Sequence, residues 1–180
     1  MRAKNLLSIL AVWMAFVTAA GGQSKQDLPI IHARLARQVL HELIMLPNYS
    51  VFDNLEFKIS GVDTVALSGQ VTRPTLKSDA ETAVRSLEGV GKIVNAIEVL
   101  PISPGDERIR IAVFRAVFSK QPLDRYSFRA VPPIHIIVDN GAVTLVGVVA
   151  AEAEKDIAGI AAKEVPGTFS VTNNLRVESK

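Results

Sequence analysis

Residues 31–101 of this chain align with residues 109–179 at a nearly constant offset of 78, so whatever one half folds into the other must fold into as well. The clearest block pairs Val65-Ala-Leu-Ser-Gly69-Gln-Val71 with Val143-Thr-Leu-Val-Gly147-Val-Val149. Further matches, in order, are Ile31/Ile109, Arg37/Arg115, Val39/Val117, Ile59/Ile137, Lys77/Lys155, Ala80/Ala158, Ala83/Ala161, Gly89/Gly167, Asn95/Asn173 and Val99/Val177, and a one-residue slip brings Tyr49-Ser50 onto Tyr126-Ser127. Matches spread in order over a whole unit point to duplication of one module.

Each copy reads as α-β-β-α-β. Ile31, Leu35, Val39, Leu43 and Leu46 recur at helical spacing, as do Ile109, Val113 and Val117. In copy two, strands over His135–Val138 and Ala142–Val149 meet at Asp139-Asn140-Gly141, a hairpin signal because both turn residues must accept positive φ. Copy one has Gly61-Val62-Asp63-Thr64 there. A second helix is expected from about Thr75 to Leu87, with Thr75 as N-cap, and from about Ala151 to Val165. Gly89 and Gly167 are placed to stop these helices. A last strand covers Lys92–Leu100 and Phe169–Val177. A right-handed β-α-β crossover makes the second and third strands parallel. The expected fold is therefore α+β: two tandem modules, 31–101 and 109–179, each a three-stranded mixed sheet with two helices on one face. Residues 102–108 form a short, proline-containing linker. Gly69 and Gly147 lie inside strands, where glycine marks a close approach, here expected to be that of a helix.

The first 20 residues stand apart. Arg2 and Lys4 precede an apolar run from Leu6 to Ala20, the pattern of a secretory signal, with an uncleaved anchor as the alternative. No cysteine is present, which excludes a lipidated cysteine, a disulfide framework and thiolate metal sites. Without Arg2 and Lys4, 18 of the 20 basic residues remain against 18 acids. A formally neutral chain lacks the basic face that nucleic-acid binding needs.

A helix, then Val-x-Leu-x-Gly-x-Val, then a charged helix ending near Gly, then a strand with Val and Asn, resembles the BON domain (bacterial OsmY and nodulation). The residues that carry the resemblance are Val65, Leu67, Gly69, Val71, Gly89, Val94 and Asn95 in copy one, and Val143, Leu145, Gly147, Val149, Gly167, Val171 and Asn173 in copy two. The resemblance implies a non-catalytic periplasmic or envelope protein, association with phospholipid surfaces, and a part in envelope integrity or osmotic stress. It brings no catalytic residues, no cofactor and no small-molecule substrate.

The residues themselves offer little chemistry. His32, His41 and His135 lack the spacing of a helical metal pair. Asp79, Glu81 and Glu88 read as a solvated helix face. One feature separates the copies. Ile111, Phe114 and Phe118 form a second apolar stripe, about 130° around the helix from Ile109, Val113 and Val117, with Arg108 and Arg115 beside it. Copy one has Ala33, Ala36 and Leu40 at the equivalent positions. From Glu107 to Arg129 there are six basic residues against two acids. Such a stripe suits an anionic lipid surface, the contact between the two copies, or a protein partner. The expected function is peripheral association with anionic phospholipid through Arg108, Ile111, Phe114, Arg115 and Phe118; the alternative is a protein-binding adaptor or stress scaffold, which burial of Phe114 and Phe118 against copy one would favour.

Overall fold

The computed structural model describes residues 24–129 and 131–178, so the expected leader, residues 1–20, lies outside the described residues. Module one contains α1 (Ser24–Ile44), β1 (Asn54–Ser60), β2 (Thr64–Val71), α2 (Pro74–Arg85), β3 (Lys92–Asn95) and β4 (Glu98–Val99). Module two contains α3 (Pro104–Phe118), a 3-10 turn (Leu123–Tyr126), β5 (Ile134–Asp139), β6 (Ala142–Val149), α4 (Glu152–Lys163) and β7 (Ser170–Val177). In each, an antiparallel hairpin pairs its second strand in parallel with the strand that follows the second helix. Both modules are the α+β mixed sheets that the repeat implies.

The packing logic is the same twice. In module one, Leu35, Val39 and Leu43 of α1 and Leu76, Ala80 and Val84 of α2 close over Val65, Leu67 and Val71. In module two, Val113 and Val117 of α3 and Ala158, Ala161 and Ala162 of α4 close over Ile134, Ile136, Val143 and Leu145. Each fully buried Leu, Ile or Val contributes about 1.5–3 kcal/mol, and this burial offsets the ordering entropy of a small domain. The two asparagines of the repeat lock strand to helix. Asn95 Nδ2 donates to the Lys77 carbonyl at 3.0 Å and Asn173 Nδ2 to the Lys155 carbonyl at 2.7 Å. Asn95 also donates to Glu81, which holds that carboxyl below its usual pKa.

Several local expectations are corrected. α1 begins at Ser24 rather than near Ile31, and Ile31 is exposed. Most of the expected linker is helical: α3 starts at Pro104, with Ser103 Oγ accepting from the Asp106 N–H at 3.2 Å. Arg73, not Thr75, precedes α2, because Pro74 takes the first helical position, where its missing N–H costs nothing. The last strand of module one breaks at Ala96-Ile97 into β3 and β4, both on β2.

The glycines act differently from expectation. Gly89 and Gly167 do not cap the helices, which end at Arg85 and Lys163; they turn the chain a few residues later, at φ 92° and 88°. Gly69 and Gly147 meet a strand, not a helix. A Cβ on Gly69 would lie 2.1 Å from the Asn54 carbonyl oxygen, and one on Gly147 would lie 1.9 Å from that of Pro133.

The Ile59/Ile137 match is out of register. Ile59 pairs with Val65, whereas the partner of Val143 is Val138. The module-one turn, Gly61-Val62-Asp63, is one residue longer than Asn140-Gly141. The shorter turn has both residues at positive φ, 48° and 77°, as its sequence requires. Asp106, buried at the start of α3, accepts from the N–H groups of Asn140 and Gly141 at 3.1 and 2.8 Å and ties that turn down.

Candidate functional site

The two modules are joined by a built seam. Its centre is the loop between α1 and β1. Val51 sends its carbonyl to the Ile136 N–H, at 2.8 Å, on the outer edge of β5, and its side chain is buried in the core of module two. Phe52 packs edge-on against Phe114 of α3, centroids 6.2 Å apart, and Phe114 lies 4.8 Å from Phe118. Tyr49 stacks on His135 of β5 at 5.6 Å. Leu100, at the end of β4, and Ile137, on the outer face of β5, are both buried and line one small cleft.

Asp53 holds the loop in this shape. It is fully buried and accepts from the Ser50 N–H and hydroxyl at 3.0 and 2.6 Å, and from the Thr72 N–H and hydroxyl at 2.7 and 2.8 Å. Module two solves the same problem with another acid. Glu154 of α4 accepts from the Ala150 N–H at 3.0 Å, the Tyr126 hydroxyl at 2.8 Å and the Arg125 guanidinium.

Burial at the seam moves two titrations. Loss of water pushes the Tyr49 hydroxyl up to about 12. It pushes His135 below the usual imidazole range, although Asp53 pulls the other way. His135 Nδ1 is buried without a hydrogen-bond partner. As pH falls below about 6.5, the unfolded chain takes up a proton at this histidine that the folded chain resists, so stability falls until the depressed native pKa is reached. His135→Phe should remove that part of the slope. The readout is the difference between wild-type and variant melting temperatures across the range from about pH 7.5 to about pH 5; parallel profiles would exclude the effect.

The second stripe of α3 is divided by the seam. Phe118 is 6 % exposed and Phe114 is half-buried against Phe52, so Phe118 is withdrawn from solvent and Phe114 is presented only in part. Arg108, Ile111 and Arg115 remain exposed, Ile111 at 37 %. Nor are the basic residues all free. Arg110 is buried and donates to the Val138 carbonyl at 2.7 Å, and Arg125 is engaged by Glu154 and Tyr126.

Nothing in the sequence marked Val51, Phe52 and Asp53, and Tyr49 stood out only as a match in the repeat. A signal was present in the strands they serve. Asn54–Ser60 alternates apolar and polar, whereas Ile134–Val138 is apolar at every position but His135, as a strand covered on both faces should be. Among the described residues no group of three or more acids and histidines could hold a metal, and no helix is long and apolar enough to cross a membrane.

Comparison with known proteins agrees with the repeat. Two solved structures of CdsD, a structural protein of the type III secretion system of Chlamydia trachomatis, superpose with a TM-score of 0.31 each. The first, its C-terminal domain, is 13% identical and the match covers 81% of this chain and 98% of that one; the second is 11% identical, covering 81% and 92%. No curated protein matches the chain. The family model of the BON domain matches residues 33–101 and again 119–179, the second match beginning just after α3. The chain belongs to the BON domain family, with two BON domains in tandem.

Proposed function

We propose that this chain is an exported adaptor that works through protein contacts in the cell envelope. Membership of the BON family points to a non-enzymatic protein of the periplasm or envelope. The observation that carries the finer reading is the seam. Of the rings that would anchor the chain in a lipid headgroup layer, Phe118 is buried in the module-two core and Phe114 is packed against Phe52 of module one. What remains of that stripe is Ile111, with part of the Phe114 ring, between Arg108 and Arg115. That is a small apolar area for an interfacial helix, whose binding scales with the apolar surface it buries. A part in envelope integrity or osmotic stress would then be exercised through the partners that the adaptor holds.

Co-sedimentation with vesicles of phosphatidylethanolamine and phosphatidylglycerol tests this. The protein should stay in the supernatant at low and moderate salt, and Arg108→Glu with Arg115→Glu should change nothing. Salt-sensitive pelleting that the double variant abolishes would replace the adaptor with a peripheral lipid-binding protein.

A further inference from the structure

We infer that a second copy of this chain docks head to tail on module one, using the module-two counterparts of the surfaces that build the internal seam. The inference deepens the adaptor reading and rests on it.

The repeat sets the correspondence, and strand pairing makes it exact in register. Phe57 pairs with Leu67 as Ile136 pairs with Leu145, so the Phe57 N–H points away from β2 on the edge of β1, as the Ile136 N–H does on β5. On the docking end, the Leu100 N–H bonds the Val71 carbonyl at 2.9 Å and the Glu178 N–H bonds the Val149 carbonyl at 2.8 Å, so Glu178 stands where Leu100 does. The sequence places Phe128 after Tyr126-Ser127 as it places Val51 after Tyr49-Ser50. Inside the chain, Val51 and Leu100 are covered by module two. Their counterparts are free: Phe128 is 87 % exposed, and Glu178 is exposed.

The receiving surface is also present and open. Leu40, Ile44, Leu55 and Phe57 form one wall of a cleft of about 650 Å3 whose other wall is Pro133, His135 and Val146 of the same chain's module two. Leu40 holds the position in α1 that Phe118 holds in α3, and it is 52 % exposed. A loop carrying Phe128 would bring to this cleft what the Val51 loop brings to module two.

Charge says that the occupant is this chain itself. In the internal seam, Leu100 and Ile137 line one cleft. The counterpart of Ile137 is Lys58, since Lys58 pairs with Ala66 as Ile137 pairs with Thr144. The apolar pair of the seam therefore becomes Glu178 against Lys58 in the contact between copies. That substitution puts opposite charges face to face. A contact between unlike surfaces does not close on itself in a pair, so it leads to rings or open arrays.

Sedimentation velocity of the leaderless chain at low salt should show a mass that rises with concentration. Lys58→Glu alone and Glu178→Lys alone should each weaken association by at least about tenfold, because each sets like charges together. The double variant Lys58→Glu with Glu178→Lys should recover it, as every contact then carries the pair reversed. Phe128→Asp should yield a monomer with an unchanged circular dichroism spectrum. A wild-type chain that stays monomeric, or association indifferent to both charge reversals, overturns the inference. A monomer that also ignores vesicles loses only this inference; vesicle binding as described above removes the adaptor reading itself.

Discussion

Asp53→Ala should lower the stability of the protein by about 3 kcal/mol and loosen the seam between the modules. The carboxylate is fully buried and accepts four hydrogen bonds, two from Ser50 and two from Thr72. Truncation leaves the N–H groups of Ser50 and Thr72 without their acceptor. Each stranded donor costs about 1–3 kcal/mol, less whatever water recovers by entering the space. The loop then has little reason to hold Val51 against β5. Urea denaturation should report the lost stability, and amide exchange at Ile136, whose N–H is given to the Val51 carbonyl, should report the opened seam. Asp53→Asn keeps one acceptor oxygen and should cost less. A loss under about 1 kcal/mol with Ile136 still protected would show that the loop is held by its apolar contacts alone.

What the sequence disclosed follows the same division between local and remote causes. The repeat, the order of elements and the Asn140-Gly141 turn were legible because each depends on residues close in the chain. Errors arose where a remote or steric cause wins. Pro74 displaced the expected cap at Thr75 because it occupies the first helical position itself. The one-residue difference between the two turns shifted the true equivalence from Ile137 to Val138, which a constant offset cannot reveal. The second stripe of α3 was visible, and contact between the copies was one of its possible destinations. Its partner was hidden, because Phe52 lies in a loop with no periodicity to mark it. The charged counterpart Lys58 was equally visible but meaningless until strand pairing set it opposite Ile137 in the repeat.

Gly147→Ala should be far more damaging than Gly89→Ala, and the comparison separates the two reasons a glycine can be required. Both residues have positive φ, 128° and 92°. At Gly89 no atom lies within 4 Å of the added Cβ, so the backbone conformation alone is penalised, at about 1–2 kcal/mol. At Gly147 the Cβ would sit 1.9 Å from the Pro133 carbonyl oxygen and 3.0 Å from its carbon. Neither side can swing away, since the obstacle is backbone on the chain entering β5, and the Pro133 carbonyl also accepts the Val148 N–H at 3.0 Å. Relief requires that β5 and β6 separate there, next to Ile134, in the middle of the module-two core. Conformational strain and steric overlap then add to about 3–5 kcal/mol, enough to unfold a small domain in a fraction of the molecules or entirely. Thermal melting of the two variants should therefore differ by several degrees or more, with Gly147→Ala the lower. Gly69→Ala, 2.1 Å from the Asn54 carbonyl, should behave like Gly147→Ala in module one. Equal melting temperatures for Gly89→Ala and Gly147→Ala would mean that the strands part at little cost, and that the repeated glycine serves the turn of the backbone and nothing else.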